Sequence, residues 1–591
     1  MIRNVHPYIR AHTEATVSSQ KERLDESRLR VILYNITDIL LWDSAIRKER
    51  AGFRSISLKT ALRRGVAISI SPSPSPPSPP SPPSPHFLPF TNCTKVPCWT
   101  IGISTAANSD THFAINTGLQ PRDLKMSRLV ARLISESEPY LVPGKLLVKE
   151  LWFEVPLDHS KPHGETIRLF ARSATKYEKP IVETNEVIQR PYLLYLQGGP
   201  GFGTPAPQES TLSKHMLDRG YDLLLLDQRG TGLSCPISEH TLKYRGGPHQ
   251  QADYLKLFRA DTLVKDSEAV RRCLTQNYPA EKKKWTTVGQ SFGGMMTMTY
   301  LSFAPEGLRE CFITGGLASL DKGPEEVYQV TFQRVIERNR AYYKKFPQDV
   351  KTVKEIAWKI RELGGQTGIP LPAGGFLTVR RLLTIGVHLG MDGGLDTVHN
   401  TIIRMKGDID QFGVFSRATL NALEQDSGWD VAPIYSLLHE PCWCYGPGVA
   451  GGWAAERVAR SLGEYQWLWA DLIGTASLEG RPLYFTGEMI FPHHFDTCGG
   501  LLNLKETANI LARYDRWPPL YDIEQLGKNE VPVYAASYND MYVDAGLARE
   551  TAARIKGIKV FETNVLFHSA LRSKPDEVIR ELLALRDDTI D

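Results

Sequence analysis

The segment Gly289-Gln290-Ser291-Phe292-Gly293-Gly294 is the part of this chain best suited to chemistry. It has the form G-x-S-x-G and lies between two apolar runs, KWTTVGQ and FGGMMTMTYLSFA. A serine on a tight strand-to-helix turn projects its hydroxyl above a sheet, and small neighbours let backbones pass closely. The start of the following helix favours developing negative charge. A serine hydroxyl alone is a poor nucleophile, so it needs a base and an acid that orients the base. In sheets of this kind the chain order is serine, acid, histidine. The last histidine is His568, in ETNVLFHSA. Asp540 ends the run VPVYAASYND, 28 residues earlier, with room for one helix and one strand between them. Asp544 is the competing acid, but it stands where the next helix should begin and reads as its N-cap. Gln197-Gly198-Gly199-Pro200-Gly201 follows another apolar run. There the backbone N–H of Gly199, together with that of Phe292, suits the oxyanion of a tetrahedral intermediate.

These residues need a rigid frame, and the sequence supplies the pattern of one. LLVKELWFEVPL and ETIRLFARSA read as a hairpin joined at DHSKPHGE. PYLLYLQGG (191–199) and YDLLLLDQRG (221–230) are short apolar runs of the kind expected for buried strands. Helices are expected over 207–219 and 259–278, then strand, turn and helix through Ser291, then the strand RECFITGG. Buried strands alternating with helices predict an α/β fold, a mostly parallel, doubly wound sheet. The alternation stops after Gly316, and 324–365 and 417–475 read as largely helical. It resumes at 531–540, with a helix at 544–556, a strand at IKVFETNV and a helix at 574–587. A helical block inserted into one sheet reads as a lid over a site at the strand ends. The expected organisation is a core over 126–320, a helical lid over 321–528 and the rest of the core over 529–591.

Four motifs occur in order: QGGPG, then Asp227-Gln228-Arg229-Gly230-Thr231-Gly232-Leu233-Ser234, then GQSFGG, then SYND with FHS. In this the chain from about 140 to 591 resembles the prolyl aminopeptidase (proline iminopeptidase) family of α/β-hydrolase serine peptidases. DQRGxGxS is the most diagnostic of the four. The family commonly has His where this chain has Gln197, a change that leaves a backbone oxyanion donor in place. The resemblance implies an α/β-hydrolase fold and an exopeptidase that removes an N-terminal residue, typically proline, with Ser291, Asp540 and His568 as its triad. A substrate with a free, charged amine beside the scissile bond calls for lid carboxylates, because a charge-assisted pair is among the stronger contacts. Glu488, in YFTGEMIFPHHF, lies in a stretch resembling one that supplies such a Glu. Glu440, in SLLHEPCW, resembles the other more loosely, and Glu456, in WAAERV, is a third candidate. Trp443, Trp453, Phe491 and Phe495 are candidate pocket walls.

Bulk properties narrow the alternatives. Lys plus Arg is 70 and Asp plus Glu is 66, a net charge of +4 over 591 residues. That gives no basis for nucleic-acid binding. No run of about 18 apolar residues is present, so no membrane span is expected. The eight cysteines have no repeated spacing, which points to free thiols and a cytoplasmic protein. Cys442, Cys444 and His439, and His493, His494 and Cys498, match no standard zinc spacing. No metal or cofactor is expected. Residues 71–85, SPSPSPPSPPSPPSP, form a low-complexity spacer that cannot build a core. The apolar patch at 29–42 reads as one helix, but residues 1–125 show no chemistry, and Met126 reads as the opening of the enzyme. Two other functions fit less well. An esterase or amidase for a small neutral compound would have no use for Glu488, and a non-catalytic binding protein would have no reason to keep Ser291, Asp540 and His568 together.

Overall fold

The computed structural model describes residues 129–178, 189–426, 428–469 and 480–588. The expected N-terminal extension, with its apolar patch and its Pro/Ser tract, lies outside the described residues.

The strands are β1 (Arg132–Glu136), β2 (Tyr140–Val142), β3 (Leu146–Pro156), β4 (Thr166–Lys176), β5 (Tyr192–Leu196), β6 (Asp222–Leu226), β7 (Trp285–Gln290) and β8 (Leu308–Thr314), then β9 (Ile369–Pro370), β10 (Phe376–Leu377), β11 (Val533–Ser537) and β12 (Ile558–Glu562). The main sheet runs β1-β3-β4-β6-β5-β7-β8-β11-β12, with β2 also paired to β3. β1 to β4 enter it antiparallel, and β4 pairs antiparallel with β6. Every pairing from β6 to β12 is parallel. β1 and β2 were not expected from the sequence. β1 is largely exposed on both faces and so carries no apolar alternation.

The longer helices of the core are α1 (Thr211–Leu217), α2 (Ala260–Leu274), α3 (Phe292–Phe303), α10 (Ala545–Ala552) and α11 (Pro575–Asp587). Successive side chains of a strand point to opposite sides, and the central strands β5, β6 and β7 are buried on both. Leu193 and Tyr195 of β5 pack in a layer with Leu212 and Met216 of α1 and Ile579 and Leu582 of α11. Leu194 and Leu196 pack in the opposite layer with Leu263 of α2 and Met296 of α3. This explains why these strands read as continuous apolar runs rather than as alternating ones. The chain passes from β5 to β6 on one side and then to β7 on the other. The order therefore reverses at β5, and the crevice at such a reversal is where sheets of this type bind ligands.

Between β8 and β11 the chain is mostly helical, with α4 (Pro324–Lys345), α5 (Asp349–Gly364), α6 (Gly394–Phe412), α7 (Arg417–Gln425), α8 (Ala454–Ser461) and α9 (Lys505–Arg513). This cap has its own core, built from residues such as Phe332, Ile356, Leu383, Ile402 and Phe485. Met541 and Tyr542, from the loop after β11, join that core and fasten the cap to the end of the sheet. The stretch 433–468, within a segment expected to be largely helical, is broken into short pieces, α8 with three-residue-per-turn segments at Glu440–Trp443 and Gly463–Leu468 on either side of it.

The DQRGTGLS stretch after β6 is a buried tie. Arg229 is 1% exposed. Its guanidinium donates to both oxygens of Asp266 in α2 at 2.6 Å and to the carbonyls of Pro156, Leu157 and Leu257. Burial alone would raise the Asp266 carboxyl, but Arg229 and His159 outweigh it and hold it below the usual range. The planar fork suits this task because several donors are satisfied at once. Arg229→Leu should leave the Asp266 carboxylate buried beside His159 alone and lower stability by about 3–5 kcal/mol. The midpoint of urea unfolding measures this, and the double change Arg229→Leu with Asp266→Leu should recover part of the loss.

Candidate active site

The turn after β7 is built around close approach. Ser291 has φ +58° at the start of α3, an uncommon conformation for a residue with a side chain. A Cβ at position 289 would meet the carbonyl oxygen of Gly293 at 2.2 Å. One at 293 would meet the carbonyl oxygen of Leu196, the last residue of β5, at 1.9 Å. One at 294 would meet the Gly316 Cα at 2.7 Å. Glycine at these positions lets β5, β7 and the strand after α3 crowd around the serine.

His568 Nε2 lies 2.9 Å from Ser291 Oγ, and its Nδ1 lies 2.5 Å from Asp540 Oδ2. The other Asp540 oxygen accepts the backbone N–H groups of Tyr542 and Val543 at 2.7 and 3.0 Å. Those two bonds fix the carboxylate, and the carboxylate fixes which imidazole nitrogen carries hydrogen. The three side chains are buried, Ser291 at 9%, Asp540 at 3% and His568 at 5% exposure. Burial opposes charge on His568, but Asp540 and, more weakly, Glu488 outweigh it and raise the imidazole above its ordinary value. Asp544 has a different task. It accepts the Leu547 N–H at 3.0 Å as the N-cap of α10 and pairs with Arg334 of α4 at 2.7 Å. Gly315, which no sequence pattern singles out, backs this group at φ +54°. A Cβ there would lie 3.2 Å from His568 Nδ1.

The Gln197–Gly201 loop lies against the serine. A Cβ on Gly198 would meet the Gln290 carbonyl at 2.8 Å and the Ser291 Cβ at 3.1 Å. The DQRG motif holds this loop in place. Gln228 Nε2 donates to the Gln197 carbonyl at 2.9 Å. Asp227 accepts from the N–H and hydroxyl of Thr204 and from the Leu233 N–H, each at 2.8 Å. Gly199 and Phe292 thus flank the nucleophile from two elements.

The three lid carboxylates have separate fates. Glu488 shares a small cavity with Tyr328, His439, Trp443, Met541 and Tyr542. The Tyr542 ring is 4.6 Å from the His568 imidazole. Glu488 accepts a hydrogen bond from the Tyr435 hydroxyl, and its second oxygen is 3.5 Å from His439 Nε2. Burial works to raise this carboxyl, but His439, His568 and Tyr435 outweigh it and hold it below the usual range. Glu440 is fully committed elsewhere. Its two oxygens accept the N–H groups of Trp453 and Ala455 at 3.0 and 3.2 Å, where they cap α8. Burial pushes its carboxyl up to about 7, with those donors only partly opposing. Glu456 does not join the cavity either; Arg460 and the Trp469 indole N–H hold it. Of the proposed pocket walls, Trp443 lines the cavity. Phe491 instead stacks on His493 and His494, and Phe495 packs edge-on against Trp453. Among the described residues no group of three or more His, Cys, Asp or Glu side chains is arranged to hold a metal ion, and no helix is long and apolar enough to cross a membrane.

Sheet, turn and hydrogen-bonded serine together define the α/β-hydrolase class, and a family profile described as the alpha/beta hydrolase fold matches residues 191–355. A proline iminopeptidase of Aspergillus aculeatus is 41% identical over 450 residues, 76% of this chain and 96% of its own length. The proline iminopeptidase of Aeromonas sobria is 38% identical over 440 residues, 74% of this chain and 96% of its own. Among solved structures, the proline iminopeptidase of Mycobacterium smegmatis gives a TM-score of 0.29 at 13% identity, over 71% of this chain and 95% of that one. The chain belongs to the proline iminopeptidase family.

Two expectations follow from the geometry. Asp540→Asn should lower turnover by roughly 10⁴ with the fold intact, since it leaves the imidazole in the wrong tautomer. Asp544→Asn should instead lower stability by about 1 kcal/mol through the weakened cap, and steady-state kinetics beside thermal melts separate the two. The pH profile has a determined sign. His568 must be neutral to accept a proton, so activity should rise with pH through a limb above the ordinary histidine value of about 6.5. Glu488→Gln removes a charge that favours the imidazolium, so with a neutral ester substrate that limb should move to lower pH.

Proposed function

We propose that this protein is a serine exopeptidase that releases an N-terminal residue, preferably proline, from peptides through an acyl-enzyme. Family membership supports the reaction class. The observation that carries the substrate reading is Glu488, a half-buried carboxylate held below the usual carboxylate range by its polar neighbours in the cavity next to His568. A buried carboxylate costs free energy unless something answers it, and an N-terminal ammonium is the natural counter-charge.

The steps follow from the positions. Ser291 Oγ attacks the carbonyl of the first residue while its proton moves to His568 Nε2. Asp540 stabilises the imidazolium that results. The N–H groups of Phe292 and Gly199 receive the oxyanion. Collapse expels the shortened peptide, whose new amine takes the proton from His568, and leaves the prolyl group as an ester on Ser291. Water, activated by His568, then repeats the sequence and frees proline. Glu488 pairs with the secondary ammonium throughout. Because that pair lies one residue from the scissile carbonyl, a peptide can enter only by its N-terminus. The helical segment 321–528 serves as the lid that carries Glu488 and Tyr435. The reaction needs no metal or cofactor, and the unpaired Cys235, Cys273, Cys311, Cys442, Cys444 and Cys498 fit a cytoplasmic setting.

Ser291→Ala should cut turnover by several orders of magnitude and leave the melting temperature near that of the parent. A panel of aminoacyl-naphthylamides, each with a free and an acyl-blocked amine, tests the substrate reading. Free prolyl-naphthylamide should be cleaved best and its blocked form not at all. Equal cleavage of both forms would overturn the reading in favour of a general esterase or amidase.

A further inference from the structure

The carboxylate of Glu488 does not stand alone, and what stands behind it has no part in the reaction scheme above. His439 is 3% exposed. Its Nε2 is 3.5 Å from Glu488 Oε2, and its Nδ1 is 3.2 Å from the Tyr328 hydroxyl. Tyr328 comes from α4, at 2% exposure, and its hydroxyl has no other hydrogen-bonding partner among the described residues. A phenol beside an imidazole nitrogen donates its O–H to it. That makes Nδ1 the acceptor and leaves the hydrogen of the neutral ring on Nε2, aimed at Glu488.

We propose that His439, oriented by Tyr328, is a positioning residue that keeps Glu488 ionised and aimed at the substrate amine, and so sets the preference for free N-termini. The inference rests on the reading of Glu488 as the amine ligand. Glu488 then has a polar partner on each oxygen, the Tyr435 hydroxyl donating to one and the His439 imidazole 3.5 Å from the other. Its side chain lines the cavity it shares with Tyr542 and Trp443. The groups that face Glu488 are His439, Tyr435, Tyr328, Tyr542 and His568, with the Cys442 thiol further off. Burial holds the tyrosines and the thiol far above neutral pH, so they stay uncharged beside it. Of the two histidines that face it, His568 belongs to the triad, which leaves His439 as the group whose removal weakens the opposition to desolvation, with the Tyr435 hydroxyl still donating. A carboxyl with fewer such partners takes up a proton at higher pH, and a neutral Glu488 cannot pair with an ammonium.

The test compares two substrates on the full-length enzyme, free prolyl-naphthylamide and a short acyl ester, across pH. In the wild type both acid limbs should coincide, because His568 sets them. In His439→Leu the amide should acquire a second limb at higher pH that the ester lacks. The ratio of amide to ester kcat/KM at neutral pH should fall by about 10- to 100-fold, the worth of one hydrogen bond to a charged group. His439→Gln, whose amide N–H can take the place of Nε2–H, should restore most of that ratio. Tyr328→Phe should show the same split in weaker form, and it reads the proposal if His439→Leu folds poorly. Superimposed limbs with an unchanged ratio in both His439→Leu and Tyr328→Phe would overturn the proposal. If wild-type enzyme cleaves blocked and free prolyl substrates alike, the reading of Glu488 itself fails, a result distinct from the first.

Discussion

A single residue held at positive φ organises this molecule. Ser291 must leave the sheet, turn sharply and enter a helix within one residue, and its neighbours yield space for that turn. The close approaches of Gly289, Gly293 and Gly294 to surrounding backbone are the geometric condition for it. An uncommon backbone conformation persists only where the surroundings over-determine it. Here β5, β7 and the start of α3 do so from three sides. Everything else in the site is placed relative to that oxygen: the imidazole of His568 at 2.9 Å, the glycine loop after β5, and the carboxylate of Glu488 across the cavity.

The second constraint is charge kept away from water. Arg229 and Asp266 lie in the core and Glu488 in the site cavity, and each is answered by several partners. Arg229 fixes the segment after β6 to α2 and to the end of β3. Its neighbours Asp227 and Gln228 then fix the loop that faces Ser291. The DQRG motif is thus a scaffold for the glycine loop beside Ser291. Its side chains form one connected network, in which the Arg229 guanidinium alone reaches Asp266 and three backbone carbonyls.

The sequence was legible where one pattern carries several signals together. Strand, glycine turn and helix around Ser291 agree at every level, and the parallel order of β5 to β8 follows from the runs of apolar residues that make those strands. Asp540 could be separated from Asp544 because a capping residue has a recognisable place before a helix. The cap was harder. Glu440, Glu456 and Glu488 are alike as letters, and only the fold shows that the first two have their oxygens taken by backbone or by Arg460. Tyr435 and His439 gave no signal of their own, since an aromatic or a histidine in a helical segment usually means core. Their importance comes from contacts to a carboxylate some 50 residues away, which no local window can reveal. β1 and β2 were missed for the opposite reason, being short, exposed and without alternation.

The chain order of the site has a further consequence at the ribosome. Ser291 and His568 are separated by 277 positions, and the entire cap is synthesised between them. Domains generally fold as their segments emerge, N-terminal parts first. The half of the sheet that holds the nucleophile is therefore complete while its base is still untranslated. Until β11 and β12 join the edge of β8 and deliver Asp540 and His568, the nascent chain presents a serine with no means of losing its proton. A chain that stops short of its last two strands lacks both side chains that join Ser291 in the finished site.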